Sequence, residues 1–229
     1  MHVPDGFLDA PTSVATGAAA VACVGVSLVR ARRELDDRTA PMAGLVAAFI
    51  FAVQMLNFPV ASGTSGHLLG GALAAVLVGP WTAVLCTSVV FVVQCLLFAD
   101  GGITALGTNI MLMGVTTVVV GWLVFRLLQA VLPKRLGVVP VAAGVGAFVS
   151  VPVAATMFVV MYAVGGTADI PLDHLATAMV GVHTLIGVGE GVITFLAVGA
   201  IIAVRPDLVH GARRVLASRE LEIRPKAVA

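Results

Sequence analysis

Polar positions in this chain are confined to short intervals between long apolar runs. Such runs occupy 12–29, 41–57, 67–79, 80–98, 108–132, 139–164 and 179–204. A helix crossing the hydrocarbon of a bilayer needs roughly 20 apolar residues, with about 17–25 tolerated. Two runs depart from that ideal. The stretch 67–79 is short and ends at Gly79-Pro80, where a break is predicted. The run 12–29 is rich in Ala and Gly, which dilutes its hydrophobic signal. The pattern predicts an all-α polytopic membrane helix bundle of about seven transmembrane helices, with six as the fallback. Composition agrees: 59% of residues are apolar and 11% charged, whereas a soluble domain carries roughly a quarter charged residues. Ample apolar surface to bury excludes a disordered chain.

Cationic residues set the expected orientation. Arg30, Arg32, Arg33 and Arg38 follow the first run. Arg126, Lys134 and Arg135 close the fifth, and Arg205, Arg213, Arg214, Arg219, Arg224 and Lys226 follow the seventh. Seven alternating crossings put all 13 Lys and Arg on one side, which the positive-inside rule makes the cytoplasm. Asp5, Asp9, Asp100, Asp169 and Asp173 fall on the other side. The N-terminus is therefore expected outside, at an anionic mouth that gathers cations, and the C-terminus inside. The expected location is the cell (plasma) membrane. A net charge of +1 offers no field for nucleic acid. Cys23, Cys86 and Cys95 stand singly within apolar runs, which suggests neither a disulfide framework nor a zinc knuckle. Small residues spaced by four (Ala18/Ala22, Ala43/Ala47, Gly44/Ala48, Ala143/Ala147) suit close helix packing or a docking surface for another membrane subunit.

No basic n-region precedes the first run, and Pro4-Asp5-Gly6 interrupts its start, so no signal peptide is expected. Met1 is expected to be retained, because His2 is too bulky for the aminopeptidase that trims initiator Met. An outer Met1-His2 has specific coordination chemistry. The Met1 amine, the His2 amide nitrogen and His2 Nδ1 can close adjacent chelate rings in one plane around an ion that prefers planar nitrogen, such as Ni²⁺ or Cu²⁺. One in-plane position stays open for a second imidazole. His67 is the best donor, placed after the Gly-rich loop Ala61-Ser62-Gly63-Thr64-Ser65-Gly66, whose glycines let the backbone fold over a small ligand. The chain thus divides into a metal-chelating segment 1–10, a transmembrane bundle 11–204 and a basic cytoplasmic tail 205–229.

The same residues carry a family resemblance. Met1-His2-Val3-Pro4-Asp5-Gly6-Phe7-Leu8 resembles the N-terminal signature of the CbiM/NikM proteins, the substrate-specific (S) membrane components of cobalt and nickel energy-coupling factor (ECF) transporters. The likeness continues through Gln54-Met55-Leu56-Asn57-Phe58-Pro59 and Gly63-Thr64-Ser65-Gly66-His67-Leu68-Leu69-Gly70-Gly71-Ala72-Leu73. It resumes at Gln94-Cys95-Leu96-Leu97-Phe98-Ala99-Asp100-Gly101-Gly102 and at Leu106-Gly107-Thr108-Asn109, and covers roughly residues 1–200. It implies a planar site of Met1 amine, His2 amide, His2 imidazole and His67 imidazole. It also implies a transport subunit that is not itself an enzyme and has no permanent cofactor, with Co²⁺ or Ni²⁺ as its cargo. Its partners would be a transmembrane coupling subunit, two ATPase subunits and a small accessory membrane subunit. One position departs from the family. Where the family usually reads Asn-Ile-Phe-Asn-Met-Gly, this chain has Asn109-Ile110-Met111-Leu112-Met113-Gly114. Support that the second Asn would give must then come from elsewhere, with Gln54, Asn57 and Gln94 the candidates, and Ser65 and Asn109 are further residues expected around the metal donors.

His183 and Glu190 form a second cluster. Seven residues is about two helical turns, so both face one way, and a mid-membrane acid should face the interior and be paired. The structural reading is a hydrogen bond from Glu190 to a neighbouring helix or to Thr194. The functional reading is a polar step for metal or protons, and a self-contained divalent-cation channel or secondary carrier built on His183/Glu190 is the alternative function. His174, beside Asp169 and Asp173, is an accessory capture candidate, and His210 is expected to be solvated. No GxxxxGK[ST] loop is present for nucleotide phosphates and no HExxH for a zincin. Met55, Met111, Met113, Met157 and Met161 are scattered through the runs and read as packing residues rather than a copper(I) pathway.

Overall fold

The computed structural model describes residues 1–36, 39–59 and 65–223. Nine α-helices carry these residues: α1 (Ala10–Ala31), α2 (Thr39–Gln54), α3 (Gly71–Val78), α4 (Pro80–Phe98), α5 (Leu106–Asn109), α6 (Thr117–Val131), α7 (Val138–Gly165), α8 (Leu172–Val204) and α9 (Arg213–Ile223). A π-helical turn, Ile110–Thr116, joins α5 to α6, making one apolar rod from Leu106 to Val131. That rod, α1, α4, α7 and α8 are each long and apolar enough to cross a bilayer, and α2 is a shorter apolar helix of 16 residues. The protein is a multi-pass membrane bundle. A two-residue antiparallel ladder pairs β1 (Phe58–Pro59) with β2 (Ser65–Gly66).

The run 67–79 becomes something other than a full helix. Only its second part is helical, and α3 has 8 residues, far short of a crossing. Its lead-in, 67–70, is unwound inside the bundle, where His67, Leu69 and Gly70 are all buried. Gly70 starts α3 with φ +78°, and Gly79 stops it with φ +98°, a region that favours glycine. Pro80 then opens α4, its missing N–H being one of the donors no helix start can use.

Hydrogen bonds define two ends of the bundle. At one, Gly102 N donates to Val3 O at 2.9 Å, Thr167 N to Phe7 O at 3.1 Å and Asn57 Nδ2 to Asp100 Oδ2 at 3.2 Å. At the other, Glu34 caps α4 by accepting from Thr82 N at 2.8 Å and Thr82 Oγ1 at 3.0 Å. Arg30 lies 5.7 Å from the Trp81 ring there, and Arg213 lies 3.9 Å from Asp36. Arg38, Arg224 and Lys226 lie outside the described residues.

Close backbone approach occurs where glycines meet: Gly146 against the Gly121 carbonyl, and Gly144 and Gly191 against each other's carbonyls. The Ala143/Ala147 pair is buried in this seam, while Ala18/Ala22 and Gly44/Ala48 face outward and Ala43/Ala47 is half-buried. In the predicted tail, Val209, Ala212 and Val215 pack into the core, and Gly211 sits against Phe125. His210 is not simply solvated. Its ring lies 5.6 Å from Trp122, and burial, then Arg213, lowers its pKa to about 4.

Candidate metal site

Residues 1–9 form a strap laid into the first end of the bundle. Asp9 starts α1 by accepting from Thr12 N at 2.9 Å, the N-cap role for which Asp is suited. From there back to Met1 the strap is tied at three places. Leu8 pairs with Gly166, and Asp9 N donates to Gly165 O at 2.7 Å. Asp5 Oδ1 accepts from Thr104 N at 2.7 Å and Thr104 Oγ1 at 2.6 Å, which holds its carboxyl below the usual range. The Val3 peptide is bracketed by Asn109, whose Oδ1 accepts from Val3 N at 2.7 Å and whose Nδ2 donates to Val3 O at 3.1 Å. A Cβ on Gly102 would lie 2.3 Å from Asp5 N, so this wall admits the strap only because it is glycine.

The strap delivers Met1 and His2 into the interior, where Met1 is 0% exposed. Burial lowers the Met1 amine pKa to about 5, against an opposing pull from Asp100. Burial also depresses the His2 imidazole, and the neighbouring amino terminus adds to this. Both groups are neutral at pH 7, with lone pairs on nitrogen. His2 stacks on His67 with centroids 4.7 Å apart and planes at 28°, and meets Phe91 edge-on at 6.0 Å.

Each imidazole here has one nitrogen fixed by a hydrogen bond, which sets the tautomer and leaves the other nitrogen as a bare acceptor. His2 Nε2 lies 3.1 Å from Gln94 Oε1, leaving Nδ1. His67 Nδ1 lies 2.8 Å from Leu68 O, leaving Nε2. His183 Nδ1 lies 2.7 Å from Met179 O, leaving Nε2. All three leftover nitrogens are buried without a hydrogen-bond partner. Asp100 Oδ1 lies 3.1 Å from His2 Nδ1, within ion-pair distance but outside hydrogen-bond geometry, so two acceptors face one another there. A dication bound to one deprotonated amide would carry a net single positive charge, which Asp100 offsets.

The unwound lead-in to α3 is held from both sides. Glu190 accepts from Leu69 N at 2.6 Å and Gly70 N at 2.9 Å, and Gln54 Nε2 donates to Leu69 O at 2.7 Å. Glu190 thus bonds neither Thr194 nor a helix face but the backbone beside His67. Asn57 reaches Asp100, and Ser65 pairs with Pro59 in the ladder. Ala61–Thr64 lie outside the described residues. Leu112, at the position of the family's second Asn, is 0% exposed and shares an apolar cluster with Met1, Val3 and Leu69. His174 stands apart, 76% exposed and 4.0 Å from Asp173. Sequence reading counted Asp100 only among the mouth acids and left Thr104 and the π-turn unmarked. The Gly101-Gly102 pair was the signal that a segment passes close by.

The sequence profile of the cobalt uptake substrate-specific transmembrane region, CbiM, matches residues 2–208. The chain belongs to the CbiM family. Its relatives include the cobalt transport protein CbiM of Sorangium cellulosum, 33% identical over 217 residues that span 91% of this chain and 94% of that one. The fused nickel transport protein NikMN of Rhodobacter capsulatus is 35% identical over 238 residues, 98% of this chain and 68% of that protein. A crystal structure of a transition metal transporter superposes with TM-score 0.81 at 30% identity, covering 89% of this chain and 93% of that one. The CbiM fold therefore extends over the strap, the unwound segment and the bundle together.

Proposed function

We propose that this CbiM-family chain is the substrate-binding membrane component of an ECF-type importer for Co²⁺ or Ni²⁺. One observation carries the reading: a wholly buried amino terminus is brought against two imidazoles whose bonded nitrogens leave the other nitrogen bare. Among the described residues no three His, Cys, Asp or Glu side chains converge on one point. That suits a site in which backbone nitrogens supply half the donors. Met1 amine, His2 amide and His2 Nδ1 close the chelate, and His67 Nε2 completes the plane. Neutral nitrogen with one ionised amide suits Ni²⁺, and Co²⁺ can use the same donors. Asp100 and the other acids of the mouth gather the cation. Relatives named for cobalt and for nickel transport support this cargo.

In this reading energy comes from two ATPase subunits through a transmembrane coupling subunit, with a small accessory membrane subunit alongside. The chain lacks a phosphate-binding loop of its own. Titration calorimetry of the purified protein in detergent, with Ni²⁺ and with Co²⁺, tests the site. Two residues added ahead of Met1, or His67→Ala, should each weaken binding at least 100-fold. Undiminished affinity in the extended chain would overturn the chelate and favour a carrier centred on His183 and Glu190.

A further inference from the structure

The planar site leaves one buried donor unused. His183 is 0% exposed, and its Nε2 has no hydrogen-bond partner, an unfavourable condition for a buried acceptor. The helix that carries it, α8, packs against β2, the two residues immediately before His67. One buried face of α8 holds His183, Glu190 and Thr194. Seven residues further along than His183, Glu190 grips the peptides of Leu69 and Gly70. His67 thus stands two residues before the peptides that Glu190 holds, and His183 two turns before Glu190 on the same buried face of α8.

The planar chelate is built differently. Three of its four nitrogens belong to residues 1 and 2, which reach the site only through the strap. An ion cannot leave such a chelate until the strap withdraws, and at that moment His67 alone remains of the original donors. Among the described residues, His183 Nε2 is the bare imidazole nitrogen on the helix whose Glu190 holds this segment. We infer that His67 and His183 form an inner hand-over site, which holds the ion through two imidazole nitrogens after residues 1–9 have let go. This rests on the metal-binding reading above. Two neutral imidazoles accept Ni²⁺ or Co²⁺ but hold it far less tightly than a two-ring chelate, which is what release requires.

The test removes the chelate and asks what remains. A full-length chain extended by two residues ahead of Met1 and carrying His2→Ala is titrated with Co²⁺ and Ni²⁺ by calorimetry. Binding should fall at least 100-fold from the intact protein yet stay measurable, and adding His183→Ala or His67→Ala should each remove a further tenfold. Residual binding indifferent to His183→Ala overturns the inference. So does loss of all binding in the extended chain while the intact protein binds. If the intact protein binds neither ion, the metal-binding reading falls, and this one with it. Should the His183 variant fail to fold, ¹⁵N-histidine spectra of the extended chain decide. Co²⁺ must broaden the Nε2 signals of both His67 and His183, and broadening of His67 alone refutes the pair.

Discussion

Asn109 does with one side chain what a β-ladder does with a strand: it satisfies both polar groups of the Val3 peptide. Asn109→Ala leaves the buried Val3 N–H unpaired, unfavourable by about 1–3 kcal/mol, and takes one of two donors from Val3 O, which keeps Gly102 N. The expected outcome is a loosened strap and metal affinity reduced about 10- to 100-fold by calorimetry, with the donors untouched. Protonation acts on the same docking. The free amine titrates near 8, whereas the docked one titrates at about 5 because burial disfavours its charge. The undocked strap thus binds the proton more readily. Docking is strongest above pH 8, weakens as pH falls from 8 towards 5, and changes no further below that through this group. The protection factor of the Val3 amide, corrected for intrinsic exchange, should fall over that window in metal-free protein. A constant value would contradict the buried amine.

Among the elements, the half-helix α3 with its unwound lead-in shows where sequence reading succeeds and where it stops. The short run, the Gly79-Pro80 break and the candidacy of His67 are all written in side chains and spacing. The depth of the unwound segment is not, because the groups that hold it are the Leu69 and Gly70 amides and the Leu69 carbonyl, and backbone groups leave no signature in a sequence. Glu190 was legible as a buried acid needing a partner, but a partner 120 residues away could not be named from one helix's periodicity. Its carboxyl accepts two N–H bonds at once, which a carboxamide cannot do with both of its terminal atoms. Glu190→Gln should therefore destabilise the protein by about 1.5–3 kcal/mol, the value of a charge-assisted hydrogen bond, read as a lower thermal midpoint in detergent. A carrier that used Glu190 only to pass protons would keep its stability.

The whole molecule places its chemistry at one end and its cations at the other. The strap, Asp5 and Asp100 gather at the first, while Arg30 on Trp81 and Arg126 on Trp122 mark the second. Seven apolar runs and a one-sided charge distribution made that polarity legible, although one run became an 8-residue helix whose unwound approach carries the site. The expected outward placement of the strap predicts a labelling pattern. In a background with Cys23, Cys86 and Cys95 replaced, Asp173→Cys should react with a membrane-impermeant maleimide on intact cells, and Asp207→Cys only after permeabilisation. The reverse pattern would turn the bundle over and put the chelate on the wrong side for uptake.

Complete burial of Met1 also reaches back to the gene. A ribosome that initiated even one codon upstream would make a chain with the same helices and the same strap. Its extra residue would have no room in the interior, and the nitrogen of Met1 would be a peptide nitrogen instead of an amine. If the proposed chelate holds the ion, the choice of start codon is itself part of the ligand set. Under the proposed chelate, an upstream start would produce a normally inserted membrane protein that holds metal only weakly.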